Sequence, residues 1–389
     1  MFETATRQGW RSMVALVALA ALALAAPAVG QAAKPKHKVR VMTRNLYLGA
    51  DLTPGLQAGS LDELRDAAGQ ILNQVDQNKF PTRARGLAAE ILKEKPDLVG
   101  LQEASLWRTA PCHLIVPPAP PTATQVRYDY VKLLLDRLNK GQRRYKAITS
   151  QDEFDFETEA NTDSSADHSC DTNVRLTMRD AILVRLHAGV KTSNVRKGHF
   201  DTLLAPKLVG LISVPVTRGW TAADVRVRGS RSFRFVNTHL EAFDSQPTGN
   251  PTNHGTTVDN GEVREAQAKE LVKTGGPARS RKPVILLGDL NSDKKTEVKP
   301  GDGLAYRWLL GMGFAERSTS HPLSCCLEAS LLAVGAGGKV SDFDHQVDHV
   351  MTSRPKRVKL ASSVVTGRKP AHGFWNSDHA GLSSVLGVP

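Results

Sequence analysis

Short apolar runs that end abruptly in polar residues recur along this chain, and they constrain its fold more than any other feature. In KPVILLGDLNSD, the apolar run 284–287 is followed by Gly288, and Asp289 and Asn291 come directly after it. Apolar runs of this length between turn signals are typical of buried strands. Helical segments separate some runs, whereas other runs follow at hairpin distance. This irregular interleaving predicts an α/β chain with two mixed sheets in a sandwich and disfavours a doubly wound parallel sheet.

Several helices carry clear start and stop signals. In SLDELRDAAGQILNQV, Ser60 and Glu63 have the spacing of a capping box. A second helix is predicted over about 82–95, because Pro96 then ends it. Helical spacing also predicts helices in YDYVKLLLDRLNK, in GEVREAQAKELVKT and around residues 305–310.

Two segments are predicted to be surface loops. Residues 107–125 are proline-rich, and residues 151–173 are acidic, polar and poor in apolar side chains. Each segment holds one cysteine, Cys112 or Cys170, so a disulfide joining the two loops is plausible in an exported protein. The four cysteines allow three pairings, and the two adjacent cysteines would then be a neighbour pair or two thiols. A zinc site is the weaker interpretation, because no Cys-x-x-Cys pair exists.

The N-terminus has the layout of a secretory signal peptide. Arg7 and Arg11 precede the apolar stretch 13–26, and small residues follow as far as Ala32. A basic start, a short apolar middle and small residues predict a cleaved signal over residues 1–32, and hence an extracellular protein. An uncleaved anchor is less favoured, since the apolar run is shorter than the roughly 20 residues of a membrane-spanning helix.

Residues 33–389 contain no internal repeat and no linker that would split them in two, so they are predicted to form one catalytic domain. A monomer with no obligate protein partner is expected. The 51 Lys and Arg residues outnumber the 39 Asp and Glu residues, which gives a formal net charge of +12. Such a charge suits an anionic partner: nucleic acid, a phospholipid surface or a phosphorylated small molecule. Solubility alone is the plainer explanation of the same charge.

Predicted strands repeatedly end in residues that could bind a phosphate or a metal ion. One polar strand end is usually a turn, but this many coincident ones point to a site on a rigid sheet. The residues concerned are Asn45, Glu103, His239, Asp289 with Asn291, Asp348, and Asp378 with His379.

Phosphoester hydrolysis accounts for these residue types. It requires a metal ion to neutralise the phosphate, a base to activate water, and donors to stabilise the transition state. Glu103 and Asn45 offer the hard oxygen ligands that Mg²⁺ prefers, with Mn²⁺ or Ca²⁺ as alternatives, and Asp378 would complete the outer shell of the metal. Asp289 and Asn291 are two residues apart, which would place both on one face of a strand. Asp289 would then take the proton of the water while Asn291 holds the phosphate or the water.

The two histidines would bracket the phosphate. His239 and His379 could each stabilise the developing oxyanion or protonate the leaving oxygen, and the sequence leaves open which of them is the acid. Such histidines usually have a carboxylate behind them. Asp348 is predicted to orient His379, and Asp180 to orient His239. A salt bridge from Asp180 to Arg179 or Arg185 is the alternative. His349 follows Asp348 and points to the opposite face of the strand, so a structural role is predicted for it.

The chain resembles the endonuclease/exonuclease/phosphatase superfamily of metal-dependent phosphoester hydrolases. The motifs TRNLYLG, DLVGLQE, FVNTHL, LLGDLNSD, VDHVMTS and SDHAGL occur in the order of that family and span nearly the whole predicted catalytic domain. The resemblance implies a four-layer α/β sandwich with two mixed sheets packed face to face and flanked by helices. It implies metal binding by Asn45 and Glu103, and the roles given above for Asp289 and Asn291. Asp180 resembles the acid that backs a histidine in the deoxyribonuclease branch.

Three functions are compatible with this pattern. The first is an exported phosphodiesterase that acts on nucleic acid, which the positive charge favours. The second is a sphingomyelinase-like or phospholipase C-like enzyme that recognises a phospholipid head group. This enzyme would need an exposed apolar tip, for which residues 107–125 with Trp107 are the candidate. The third is a secreted binding protein without activity, which the complete set of catalytic residues disfavours.

Overall fold

The computed structural model describes residues 37–115, 120–209, 212–243, 261–293, 303–319, 322–333 and 338–389. The described residues all belong to one compact unit, Pro35–Pro389. The predicted signal peptide lies outside the described residues. No helix in the described ranges combines the length and the hydropathy that crossing a membrane requires.

Sixteen strands and six α-helices form the described part of the chain. The strands, in chain order, are β1 (His37–Asn45), β2 (Leu98–Gln102), β3 (Leu106–Pro111), β4 (Gln125–Asp129), β5 (Tyr145–Ala160), β6 (Thr172–Arg185), β7 (Val190–His199), β8 (Lys207–Leu208), β9 (Ile212–Ser213), β10 (Gly219–Val227), β11 (Phe233–His239), β12 (Val284–Asp289), β13 (Phe314–Glu316), β14 (Asp348–Ser353), β15 (Lys359–Thr366) and β16 (Gly381–Val388). The helices are α1 (Thr53–Gln57), α2 (Leu61–Gln77), α3 (Phe80–Glu94), α4 (Tyr130–Leu138), α5 (Glu262–Val272) and α6 (Leu304–Gly311), and Val340–Asp342 form one 3₁₀ turn.

The strands form two mixed sheets and one two-stranded ribbon. The first sheet has the order β15-β16-β1-β2-β6-β3-β4, with β5 paired to β6. The second has the order β13-β14-β12-β11-β10-β7, and β8 pairs with β9. Each sheet contains one parallel pair, β1 with β2 and β11 with β12. These pairs are important for function because parallel neighbours end at the same edge of a sheet.

The two sheets pack face to face between two layers of helices. A fully buried cluster joins Val39 and Leu98 of the first sheet to Phe235 and Ile285 of the second. The outer face of the first sheet packs against α2, α3 and α4, and that of the second packs against α5 and α6. The predicted four-layer sandwich is therefore confirmed, with the apolar alternation of the strands filling the central layer.

The predicted helices are present close to their expected bounds. The hydroxyl of Ser60 accepts a hydrogen bond from the backbone N–H of Glu63, at 3.2 Å. The carboxylate of Glu63 reaches back to the N–H of Gly59, at 2.7 Å. The cap of α2 is thus reciprocal, as predicted, although its second bond is made one residue earlier than in a standard capping box.

The loop predicted over residues 151–173 is confirmed only for residues 161–171, because strands occupy the rest of that range. β5 runs to Ala160, β6 begins at Thr172, and the two form a long antiparallel pair. The acidic composition of β5 led to the loop prediction, because the arginines that neutralise its acidic side chains belong to other strands. Asp155, for example, pairs with Arg175 of β6 and with Arg108 of β3.

In the segment 107–125, of which residues 116–119 lie outside the described residues, Trp107 is not an exposed apolar tip. Trp107 belongs to β3 and is 2% exposed, and its indole N–H donates to the carbonyl oxygen of Leu48, at 2.9 Å. Cys112 and Cys170 form the predicted disulfide, with Cα atoms 5.8 Å apart. Cys325 and Cys326 follow each other in the described chain, and the choice between a neighbour pair and two thiols stays a prediction.

Candidate active site

Strand register brings the predicted site residues to one edge of the sandwich. His239 at the end of β11 lies beside Asp289 at the end of β12. Asp289 also lies opposite Asp348, the first residue of β14. In the first sheet, Asn45 pairs with Gln102, so that Glu103 follows at the same edge. The antiparallel β16 enters from this edge as well, which places the preceding Asp378 and His379 there.

The backbone at this edge adopts conformations that are unusual for residues with a side chain. Tyr47, Glu103 and Asn291 have φ values of 58°, 52° and 45°, in the left-handed region. Gly288 has a φ of 146°, and a Cβ there would lie 1.9 Å from the carbonyl oxygen of Thr238. Such strained positions cluster at functional sites. Gly288 is required because β11 and β12 approach closely immediately before Asp289.

Asn45 links the two central carboxylates. Its amide donates to Oε1 of Glu103 and to Oδ2 of Asp289, both at 3.0 Å. Its carbonyl oxygen accepts the N–H of Tyr47, at 2.9 Å, and Oε2 of Glu103 accepts the N–H of Leu48, at 2.7 Å. Strand β1 and the loop after it therefore fix both carboxylates in place.

The carboxylate of Asp289 lies between the two histidines. Its Oδ2 is 3.7 Å from Nε2 of His239 and 3.6 Å from Nε2 of His379. Burial raises the pKa of Asp289 to about 6; the charge of His379 opposes this rise, and Asp348 adds to it. Asp289 is 1% exposed. A buried carboxylate poised in this way can accept a proton near neutral pH.

Asp348 orients His379, as predicted. Its Oδ2 lies 2.8 Å from Nδ1 of His379, and both side chains are buried. Burial alone would lower the pKa of His379, but the charges of Asp348, Asp378 and Asp289 raise it well above its ordinary value. The ring is therefore favoured as an imidazolium with Nε2–H toward Asp289.

The predicted pairing of Asp180 with His239 is wrong. His239 instead has Arg218 beside it, whose Nη1 lies 3.2 Å from the ring Nδ1. The guanidinium group also pairs with Glu241, at 3.2 Å. Burial, Arg218 and His379 all lower the pKa of His239, so this ring is neutral. The same Nη1 is 3.5 Å from Nε2, so the guanidinium lies beside both ring nitrogens.

Asp180 is fully buried near the site without an ordered partner. Neither of its carboxylate oxygens makes a hydrogen bond in the described part of the chain. Burial raises its pKa well above the ordinary value; Arg218 opposes that rise, and Asp289 and Glu103 add to it. Glu153 of β5 is in the same condition, with both oxygens unpartnered and its pKa raised by burial and by Asp180. Asp180 is thus at the predicted edge, but it faces another acid rather than a histidine.

Asn291 and Asp378 also border the site, each with a difference from the prediction. β12 ends at Asp289, so Asn291 lies in the following turn and not on the same strand face. Its side-chain amide donates to the carbonyl oxygen of Leu240, at 2.9 Å, and its N–H donates to Asp289 at the same distance. The hydroxyl of Ser377 donates to Asp378, and burial raises the pKa of Asp378 to about 7 against the charge of His379.

Buried arginines hold the loops that carry these groups. Arg44 donates to the carbonyl oxygen of His379 and pairs with Glu90, at 3.1 Å. Arg83 donates to the carbonyl oxygens of Leu46 and Asn376, at 2.8 and 3.0 Å. The loop after β1 and the loop before β16 are therefore fixed to each other, which keeps Asn45 and His379 in register.

The site opens into a cleft of about 720 Å³. Glu103, Asn291 and Asp378 line it together with Arg218 and Arg264. Within the described residues, ligand atoms of Glu103, Asp289 and His379 all lie within 4.8 Å of one another. Glu103 and Asp289 provide hard oxygen donors at that spacing, which suit a Mg²⁺-type ion. Asn45 instead turns its N–H₂ group toward both carboxylates, while its oxygen accepts the N–H of Tyr47. The buried carboxylates around it, which repel one another, also favour a bound cation.

Sequence reasoning missed Arg218, Glu241 and Arg44. Arg218 directly precedes β10, whose first residue Gly219 pairs with His239 in the antiparallel register. An arginine at the start of a strand that pairs with the histidine-bearing strand was the available signal. The motif PVTRGW contains it, but its partner could be identified only from the register.

Three solved structures are similar to this chain. A structure of the endonuclease/exonuclease/phosphatase from Bacteroides vulgatus is 14% identical, with a TM-score of 0.50, and the match covers 91% of this chain and 100% of that chain. A family protein from Bacteroides thetaiotaomicron is also 14% identical, with a TM-score of 0.49 and coverage of 91% and 98%. The human Nocturnin catalytic domain is 16% identical, with a TM-score of 0.47 and coverage of 90% and 93%. No curated protein matches this chain.

The family model described as Endonuclease/Exonuclease/phosphatase family matches residues 67–379, which is more than half of the chain. The matched range contains β2, β11, β12 and β14 and ends at His379, so it includes every predicted site residue except Asn45. Members of the family hydrolyse phosphoesters and generally depend on a divalent metal ion. This chain belongs to the Endonuclease/Exonuclease/phosphatase family.

Proposed function

We propose that this chain is a Mg²⁺-dependent phosphodiesterase that acts on nucleic acid outside the cell. The observation that carries the proposal is the position of Asp289. Its carboxylate lies 3.7 and 3.6 Å from the two histidines and 3.0 Å from the Asn45 amide, beside Glu103. A base, a charged and a neutral histidine that can donate hydrogen bonds, and a set of metal ligands thus lie around one point, as hydrolysis of a phosphodiester requires.

Asp289 is the base that accepts a proton from the attacking water. Its pKa of about 6 makes it mostly ionised at neutral pH, yet basic enough to accept a proton in the transition state. Asn291 follows it in the turn, and its side-chain oxygen can accept a hydrogen bond from the same water while its amide is held by Leu240. Alignment of the water with the scissile bond is worth as much as its activation.

The two histidines take different roles because their neighbours differ. His379 has a carboxylate 2.8 Å behind it, which stabilises the imidazolium form and makes it the proton donor to the leaving oxygen. His239 has a guanidinium 3.2 Å behind it, which disfavours a second positive charge. His239 therefore stays neutral and donates a hydrogen bond from Nε2 to a phosphate oxygen. This difference supports His379 as the general acid, a choice that the sequence alone left open.

Glu103 would hold the metal ion, with Asp378 in its outer shell, and Asn45 fixes the Glu103 carboxylate by an amide hydrogen bond of 3.0 Å. A bound divalent ion neutralises phosphate charge and supports the developing negative charge of the transition state. Arg218 lies at the same point as a fixed positive charge, held by Glu241. Because the buried Glu241 holds the guanidinium of Arg218 in place, that group needs little reorganisation when the phosphate binds.

Two further parts of the proposal concern location and substrate. Export is supported by the basic, apolar and small-residue pattern of residues 1–32. Nucleic acid is supported by the net charge of +12, since a polyanion is attracted by an excess of Lys and Arg.

A second candidate substrate class is an amphiphilic phosphodiester such as a choline phospholipid. An apolar pocket of about 90 Å³ adjoins the cleft, and both are lined by Leu52, Leu56, Phe154 and Val216. Thr158 is the only polar residue among those that line this pocket. Such a pocket could hold a short apolar group next to the phosphate.

The decisive experiment compares four substrates with one pair of variants. Plasmid DNA, RNA, sphingomyelin vesicles and bis(p-nitrophenyl) phosphate are each incubated with Mg²⁺ and with excess chelator. Asp289→Asn should remove most turnover, and the matched control Asp344→Asn, at the rim of the same cleft, should retain it. Full turnover in chelator would refute the metal requirement. Turnover of sphingomyelin without turnover of DNA or RNA would replace nucleic acid with the amphiphilic substrate.

A further inference from the structure

A strongly basic cavity of about 810 Å³ lies at the opposite end of the first sheet from the candidate active site. Its charged lining residues are all cationic: Lys95, Arg137, Lys140, Arg143, Arg144 and Arg185. We call this surface the basic groove. It is formed where α3 and α4 end and where β5 begins beside the end of β6.

Most of these charges have no acidic partner. Arg185 pairs with Asp97, at 2.5 Å. In the described ranges, none of the other five cationic residues has a carboxylate within 4.0 Å. Side chains at surface positions normally intersperse both signs, so five uncompensated charges in one concavity repel one another in the absence of a ligand. An anion bound in the groove would relieve that repulsion.

Stabilisation of helix ends does not account for the cluster. The ends of α3 and α4 both lie at the groove, and each helix C-terminus is equivalent to about −0.5 elementary charge. Together they supply roughly −1, against five positive side chains. Arg144 also donates to the carbonyl oxygens of Lys140 and Gln142, at 3.0 and 3.3 Å, so its role is partly local. The positive charge of the five side chains is therefore larger than the negative charge that the two helix dipoles supply.

The walls of the cleft have the opposite character. The acidic side chains that line the cleft number six, and they are Asp51, Glu103, Asp293, Glu328, Asp344 and Asp378. Arg218 and Arg264 are the arginines that line it, and Arg218 is already paired with Glu241. A long polyanion therefore gains little attraction from the described walls around the chemistry, even after one divalent ion has bound. Its attraction to this chain has to come from elsewhere.

The distance between the two sites suits one polymer. The N–H of Arg185 donates to the carbonyl oxygen of Asp97, at 2.9 Å, so these residues lie at one level. From Asp97 to Glu103 the extended chain advances about 20 Å, at roughly 3.3 Å per residue. One strand of a nucleic acid carries a phosphate about every 3.4 Å, so some six phosphates separate the groove from the site at minimum.

We infer that the basic groove is a second nucleic-acid site, which binds the phosphate backbone of the polymer that is cleaved at the other edge. The polymer is taken to be the substrate, so this inference rests on the proposed function for its choice of ligand. Contacts to phosphate carry affinity without sequence preference, and they retain the enzyme on the polymer. Oligonucleotides shorter than about six nucleotides should not benefit from the groove, whereas longer ones should.

The test measures the salt dependence of binding in two matched triple variants. The groove variant carries Arg137→Gln, Lys140→Gln and Arg143→Gln. The control carries Lys191→Gln, Arg226→Gln and Arg228→Gln, three exposed residues at the β7 and β10 edge of the second sheet. Both lose three positive charges. Both are made in the Asp289→Asn background, so that a labelled DNA duplex of about 40 base pairs, long enough to span both sites, is bound and not cleaved.

For the groove variant, the plot of the logarithm of the DNA association constant against the logarithm of the salt concentration should become less steep. Its negative slope should decrease in magnitude by about 2 to 3, since each of the three lost phosphate contacts contributes about 0.9 on duplex DNA. The control should keep the slope of its parent. With Asp289 restored, both triple variants should hydrolyse bis(p-nitrophenyl) phosphate at the parental rate, and only the groove variant should show a raised KM on long DNA.

Equal slopes for the groove variant and the control would overturn the inference, because the charge effect would then be general. Loss of binding to phosphatidylserine vesicles with unchanged DNA binding would also overturn it, in favour of a lipid surface. Failure of the proposed function is visible separately, as an absence of metal-dependent turnover of the small phosphodiester by the wild-type chain. The binding comparison does not depend on turnover.

Discussion

Replacement of Asp348 by Asn tests whether His379 acts as a charged proton donor. Asn has the same size and can still accept a hydrogen bond, but it lacks the negative charge. Asp348 is fully buried, and its carboxylate lies 2.8 Å from Nδ1 of His379. A hydrogen bond to a charged group is worth about 1.5–3 kcal/mol. Because each 1.36 kcal/mol is tenfold in rate, kcat/KM should fall by about 10- to 150-fold.

The pH profile should change in a defined direction. Asp348 is the first of the charges that raise the pKa of His379. Its loss lowers that pKa, so the imidazolium form of His379 is lost at lower pH and the alkaline limb of the kcat/KM profile moves to lower pH. Steady-state kinetics on bis(p-nitrophenyl) phosphate, from about pH 5 to about pH 10, measures both effects.

A double-variant cycle provides the sharpest check. His379→Ala should lose about 10²- to 10⁴-fold, which is typical of a general acid. If Asp348 acts only through His379, the variant with both substitutions should be no slower than His379→Ala alone. Losses that multiply in the double variant would refute the reasoning, since Asp348 would then have an independent role. Urea unfolding of each variant separates a loss of turnover from a loss of fold.

Three further predictions follow from other contacts. Glu103→Gln should raise the Mg²⁺ concentration needed for half-maximal turnover, because a hard anionic ligand is replaced by a neutral one; an unchanged metal titration would contradict this. The carboxylate of Glu316 lies 2.7 Å from Nδ1 of His349, and although burial opposes it, the pKa of His349 is raised. A raised folded pKa gives stability that is complete below about pH 6.5 and is lost as the pH rises through the folded pKa. Glu316→Gln should therefore reduce the free energy of unfolding, measured in urea, more at about pH 6 than at about pH 9. A Cβ at Gly100 would lie 2.3 Å from Oδ1 of Asn237, so Gly100→Ala should lower the free energy of unfolding by about 1–3 kcal/mol or more, and thermal denaturation at wild-type temperature would refute that contact.

Much of the catalytic edge was predictable because local sequence encodes burial and strand ends. The run ending at Asp289 is apolar because both faces of β12 are covered, and a polar residue can follow only where the strand leaves the core. The same argument holds for Glu103 after β2 and for His239 at the end of β11. The pairing of Asp348 with His379 was predictable as well.

Other features depend on residues that are far apart in the sequence. β5 looked like an acidic loop, because the arginines that neutralise it belong to β3 and β6. The sequence predicts Asp180 as the partner of His239. In the structure, Arg218, the residue before β10, lies beside that ring instead. The register between two strands is not encoded in any short stretch of sequence. No such stretch could therefore show that Arg218, and not Asp180, lies beside His239.

The sequence by itself determined the family, the layered sandwich and the identity of the residues at the active edge, because each of these is written in short motifs and in apolar periodicity. Only the tertiary structure decided how those residues are charged. His379 faces a carboxylate and His239 a guanidinium, 2.8 and 3.2 Å away, and this contrast separates the acid from the neutral donor. The tertiary structure likewise gathered scattered Lys and Arg residues into the basic groove. Charge acts through space and depends on distance and burial, which are fixed only when distant segments pack together.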